Sequence, residues 1–194
     1  MKRIYIIIIM FCLFLIGCSS QSNNASQVSS KQSELDEPVI VFDDTYKLMY
    51  NNVQKENSRD REEIVKAKSI MEDNFEKTKK NILLDQQLNV VPLSYSISEN
   101  QNGKFLMFNI FVINTSGKTI TDFQTIVNYS FLNSTFTDGH TLEIENLGVS
   151  EIKDKEGVVI GYGSDITGEP SEYFSNLNLE DVTIKLTDLT VTTE

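Results

Sequence analysis

Only two cysteines, Cys12 and Cys18, and one histidine, His140, occur in the 194 residues. Both thiols fall within the first eighteen positions. Nothing beyond Cys18 can therefore close a disulfide, ligate a metal through sulfur or attack as a thiolate. A single histidine excludes a His₂ or His₃ zinc site within one chain. The sequence also lacks a G-x-S-x-G elbow, a glycine-rich phosphate loop, an H-E-x-x-H pair and a D-x-D-x-D-G calcium loop. These absences remove the short motifs of hydrolase, nucleotide and metalloprotease chemistry. A domain without disulfides must be held together by its core.

Basic residues are scarce as well, 17 Lys and Arg against 28 Asp and Glu for a net charge of −11. From Asp43 to Asp85 nine basic residues face ten acidic ones, whereas from Leu88 to the end five face fifteen. The negative field belongs to the C-terminal part. It repels phosphate backbones, so nucleic acid is not expected as a partner. What remains is a solvated surface, or docking to a basic partner or to divalent cations.

The first residues carry the clearest signal. Lys2 and Arg3 precede an almost wholly apolar run from residue 4 to 16, which is shorter than the roughly 20 residues a bilayer-spanning helix needs. The run ends in Leu15-Ile16-Gly17-Cys18 and breaks into Ser19-Ser20. These four residues resemble the lipobox of bacterial lipoproteins. The resemblance implies that residues 1–17 are a signal peptide cleaved between Gly17 and Cys18, with Cys18 as the lipid acceptor. Cleavage removes Lys2 and Arg3 and takes the charge from −11 to −13. Two acyl chains at about 0.8 kcal/mol per buried CH₂ make a durable anchor. The expected location is the extracytoplasmic face of the cell membrane.

Residues 18–42 then read as the lipidated cysteine and a Ser-rich tether, of which 19–38 is too polar to fold and reaches about 25 Å. Val39 to Phe42 is a short apolar patch within it. From 43 to 87 the apolar residues Tyr46, Met49, Tyr50, Val53, Ile64, Ala67, Met71, Phe75 and Ile82 fall at helical spacing. Asp43-Asp44 offers negative charge at the start, and Glu62 with Lys66, Asp73 with Lys77 and Glu76 with Lys80 stand four apart. The pattern fits one long helix, or two with a break at Asn57-Ser58.

Beyond Leu88 the period becomes two. Leu93, Tyr95 and Ile97 alternate with serines, and Asn102-Gly103 is a hairpin signal before a strand from Lys104 to Ile113. That strand is apolar on both faces, so it must be covered twice, by an opposing sheet and by the preceding helix. The next strand places Phe123, Thr125, Val127, Tyr129 and Phe131 inward. Further strands are expected at Leu142 to Ile144, Val158 to Tyr162 and Val182 to Val191, the last with a phase slip near Asp188 that a β-bulge explains. His140 follows Asp138-Gly139, a turn signal, and is expected in a solvated loop. Glu143 with Glu145 and Asp154 with Glu156 are expected on wet faces, Ca²⁺ coordination being the alternative. The long stretch from Gly163 to Asn178, with Pro170, Tyr173 and Phe174, is either a binding loop or a plug for the open end of the core.

The fold class expected is mainly β, an immunoglobulin-like β-sandwich over residues 88–194 preceded by one long or two shorter N-terminal helices. The run from Phe111 through Asn114-Thr115-Ser116-Gly117-Lys118 and Ile120 to Tyr129 resembles the immunoglobulin-like domains of Gram-positive lipoproteins, of the FxLYD and telokin-like types. Those families imply an extracytoplasmic binding or spacer module without catalytic residues. The expectation is accordingly a non-enzymatic envelope lipoprotein with no cofactor and no metal, held to the membrane through Cys18 and meeting an envelope protein. The alternatives are an envelope enzyme accessory or inhibitor, or an exclusion or immunity lipoprotein of a mobile element.

Overall fold

The computed structural model describes residues 35–194. The signal segment, Gly17, Cys18 and the tether up to residue 34 lie outside the described residues. The chain is mainly β, in two sheets, with one long helix in mid-chain.

The first departure from the sequence reading is at its start. Val39 to Phe42 is not tether, and Asp43 does not begin a helix. Instead β1 (Ile40–Phe42) and β2 (Tyr46–Met49) form an antiparallel hairpin. Ile40, Phe42, Tyr46 and Leu48 alternate at period two and all four are buried. Asp43 and Asp44 both take φ of 51°, so the acidic pair makes the hairpin turn instead of charging a helix start.

Two helices follow. Asn51 caps α1 (Asn52–Glu56) in a reciprocal capping box with Gln54, and Asn57 caps α2 (Ser58–Thr78) by accepting from Arg59 N at 3.0 Å. Asn57 has φ −107° and ψ 104°, which is extended backbone, so the helical segment is broken there. A 3₁₀ turn, Lys79–Asn81, ends it. The long helix is thus central in the chain, not N-terminal. Glu62 pairs with Lys66 at 3.7 Å, while Glu76 takes Lys79 at 3.0 Å and Lys80 reaches Glu180 at 3.2 Å. Such exposed pairs are screened by solvent and add little to stability.

Six longer strands complete the fold: β3 (Leu88–Asn100), β4 (Gly103–Asn114), β5 (Ile120–Phe131), β6 (Thr137–Glu143), β7 (Glu156–Asp165) and β8 (Val182–Thr193). One sheet has the order β1-β2-β7-β4-β3 and the other β6-β5-β8. All neighbours are antiparallel except β2 and β7. The two residues of the β3–β4 turn are Gln101-Asn102, one position before the expected pair, and Gly103, at φ 140°, opens β4 opposite Asn100. At Asp188, φ is 54° and the β5–β8 register slips, which is the expected bulge.

β4 is covered twice, as its composition requires. Leu106, Phe108, Ile110 and Val112 join Phe123, Val127, Tyr129 and Phe131 in a core between the two sheets. Phe111 and Ile113 face the other way and join Phe42, Leu48, Ile64, Met71 and Phe75 under α2. Close packing also dictates Gly157, where a Cβ would come within 2.2 Å of the Val112 carbonyl oxygen. The stretch after β7 resolves as a plug. A short helix, α3 (Ser171–Ser175), inserts Phe174, 0% exposed, against Phe131 and Phe136 at the end of the inter-sheet core.

Candidate functional site

The acidic pairs do not converge. Glu143 accepts from the Gln124 side chain, and Asp154 accepts from Gly117 N at 3.0 Å. Among the described residues, no group of three or more His, Cys, Asp or Glu side chains could hold a metal ion. No described helix is long and apolar enough to cross a membrane.

Two places remain where unusual chemistry or shape is concentrated. The first is an aromatic stack between the sheets. His140 is not in a solvated loop and Asp138-Gly139 is not a turn; both belong to β6, and the turn lies earlier, at Asn133 with φ 61°. In step with buried Leu142, Asp138 and His140 point inward, opposite Tyr129 and Val127. The period-two phase of Leu142 was the signal for this placement. The His140 ring lies 3.7 Å from that of Tyr162 on β7, and Tyr162 is 5.1 Å from Tyr129 on β5 with the rings nearly parallel at 3°. The Tyr162 hydroxyl donates to Asp138 Oδ2 at 2.8 Å. Tyr129 Oη and His140 Nδ1 are buried with no hydrogen-bond partner among the described residues.

Burial sets the protonation of this stack. It raises the Tyr129 phenol, with Tyr162 and Asp138 adding to the effect. It pushes Tyr162 up to about 12, helped by the bond to Asp138, and holds His140 below the usual 6.5 against the attraction of Asp138. A histidine depressed in the folded state binds fewer protons than when unfolded, so its stabilising effect is present above 6.5 and is lost as pH falls below it. The raised phenols act oppositely, stabilising below 10 and losing that contribution as pH rises above it. Denaturant unfolding is expected to show a stability plateau between about pH 6.5 and 10. In His140→Phe the acid limb should flatten relative to the parent; an unchanged acid limb would rule out the buried imidazole as a cause.

The second place is a groove of about 500 Å³ between the two helices and β7. Its floor is Ile64, Ala67, Met71 and Val159, and among the described residues Asp60 and Glu63 are the charged ones lining it, Glu63 also taking the exposed Arg59 at 3.1 Å. It opens because β2 is short. β2 pairs with β7 only over Glu156, Gly157 and Val158, and beyond them Gln54 Nε2 donates to Val159 O at 2.9 Å. The Gly161 and Gly163 that follow carry no side chain into the groove mouth and are exposed.

Comparison with protein-family models, with curated proteins and with solved structures gives no match.

Proposed function

We propose that this chain is an exported lipoprotein, anchored through Cys18 to the extracytoplasmic face of the membrane, whose folded part is a non-enzymatic, immunoglobulin-like binding module. The observation that carries the reading is Leu15-Ile16-Gly17-Cys18 at the end of an apolar run too short to span a bilayer. Strand order supports the finer fold assignment. β3-β4-β7 facing β6-β5-β8 corresponds to the A-B-E and C′-C-F strands of an immunoglobulin domain, with the β1–β2 hairpin and α2 added to the first sheet.

The groove beside β7 favours binding over a bare spacer role, because it is lined and bounded by two helices instead of being filled.

Metabolic labelling with an acyl-chain analogue, followed by fractionation of cells, tests the anchor. The parent chain is expected in the membrane fraction, cleaved and labelled. Cys18→Ala is expected to be unlabelled, and either released or retained as an uncleaved precursor. A cleaved, unlabelled Cys18→Ala product that stays in the membrane fraction would refute the lipid assignment.

A further inference from the structure

Backbone groups alternate in direction along a strand. Lys47 N donates to Lys155 O at 2.8 Å, and Gln54 Nε2 to Val159 O at 2.9 Å, so the odd-numbered residues of β7 point away from β4. By the same alternation the N–H and C=O groups of Gly161, Gly163 and Asp165 face the open edge. β2 does not reach them, since its pairing stops at Val158.

Two outer strands of the sheets, β3 and β8, are blunted. β3 carries Pro92 and a register shift beside it, and β8 carries the Asp188 bulge. The second half of β7 has neither device; Gly161 leaves the backbone open to close approach, while Met107 lies over the face of Gly163, 2.8 Å from where a Cβ would stand.

We propose that an extended segment of a basic partner protein adds as a strand to Gly161–Asp165 of β7, in the track that β2 vacates. This deepens the binding-module reading and rests on it. Strand addition draws affinity from main-chain hydrogen bonds, and specificity from alternate side chains. One set of side chains would lie over the apolar floor of Ile64, Met71 and Val159, beneath Asp60 and Glu63. The other set would face Tyr162 and Asp138 on the inner side. Among the described residues no basic side chain lines the groove, so cationic side chains are favoured in the set that faces Asp60 and Glu63. The same charge argues against two other occupants. A second copy would bring a matching acidic edge, on a chain of net charge −11. The stretch Ser19–Pro38 has Lys31 as its single basic residue against Glu34, Asp36 and Glu37.

The probe is a synthetic heptapeptide of alternating Lys and Val, added to the full chain in mild detergent, with amide hydrogen exchange read at Gly161 and Gly163. Exchange at both amides is expected to slow on adding the peptide. A version N-methylated at alternate residues, which keeps the charge and loses the donors, is expected to give no protection. Asp60→Asn with Glu63→Gln, both exchanges at the helix surface, is expected to weaken binding about tenfold. Equal binding of the N-methylated peptide would reduce the contact to unspecific charge attraction and overturn the proposal, as would unprotected glycine amides in the presence of bound peptide. Protection that grows with protein concentration without peptide would assign the edge to a second copy. None of these outcomes depends on acyl labelling at Cys18, so failure of the edge and failure of the anchor are separable.

Discussion

Phe75→Ala is expected to cost about 3–5 kcal/mol of folding stability, close to the upper range for a single core truncation. Phe75 is 0% exposed and sits where four elements meet. Its ring stacks on Phe42 of β1 at 4.5 Å, and meets Tyr46 of β2 at 5.9 Å and Phe111 of β4 at 6.4 Å. One ring therefore joins the helix to the hairpin and to the sheet. Polar bonds near it hold α2 in register but do not replace it: Asn74 Nδ2 donates to Leu93 O at 2.8 Å and Thr78 Oγ1 to Pro92 O at 3.2 Å. Against a typical domain stability of about 5–15 kcal/mol, the loss is a large fraction. The measurement is urea unfolding, with Ile70→Ala as the control, since Ile70 lies on the same helix and is 58% exposed. Ile70→Ala should change stability by no more than about 0.5 kcal/mol. Amide exchange should rise first in α2 and the β1–β2 hairpin, because Phe75 belongs to the outer core and not to the one between the sheets. A loss below about 1 kcal/mol would mean the helix is held by something other than this ring cluster.

The same residues explain which parts of the fold were legible. β4 could be read because both of its faces are apolar, and two apolar faces demand two covers whatever the topology. β5 could be read because burial follows its alternation, Phe123 through Phe131 inward and Gln124 outward. The β1–β2 hairpin could not, because its residues satisfy two periods at once. Tyr46, Met49, Tyr50 and Val53 have the spacing of a helix, while Ile40, Phe42, Tyr46 and Leu48 have that of a strand. Tertiary pairing with β7 and the left-handed Asp43 and Asp44 decide for the strand. Propensity alone carries no information about a partner more than a hundred residues away.

Sites were harder to read than strands, for a related reason. His140 was misplaced because Asp-Gly is a turn signal only where the chain reverses, and here it lies inside β6, where Tyr129 stands opposite Asp138. The open edge of β7 is a matter of lengths. β2 has four residues and β7 has ten, and which of the two outruns the other depends on pairing that no local pattern encodes. Glycines 161 and 163 alone read only as weak interruptions in a strand.

Substitution of Asn114 carries the second large effect. The side chain is fully buried, donating through Nδ2 to Lys118 O and to Ile152 O, both at 2.7 Å, and accepting from Ser116 N at 2.8 Å. It thereby fixes the turn by which the chain leaves one sheet for the other, and ties that turn to the segment before β7. Asn114→Ala removes three bonds and strands the Ser116 N–H, for an expected loss of about 2–4 kcal/mol. Asn114→Asp separates bonding from volume. The carboxylate can still accept from Ser116 N, but it turns a negative oxygen toward two carbonyls in a buried site, so at neutral pH it should be at least as damaging as alanine. Burial and the facing carbonyls raise its pKa above the ordinary value near ~3.9. A raised folded pKa gives stability that is present at low pH and lost as pH rises through it, so the deficit of Asn114→Asp relative to the parent should shrink toward about pH 4. Protonation returns one donor, and with it one of the two carbonyl bonds. If Asn114→Asp instead matches the parent at neutral pH, the two donated bonds contribute nothing, and the turn must be held by Gly117, at φ 75°, and its bond to Asp154.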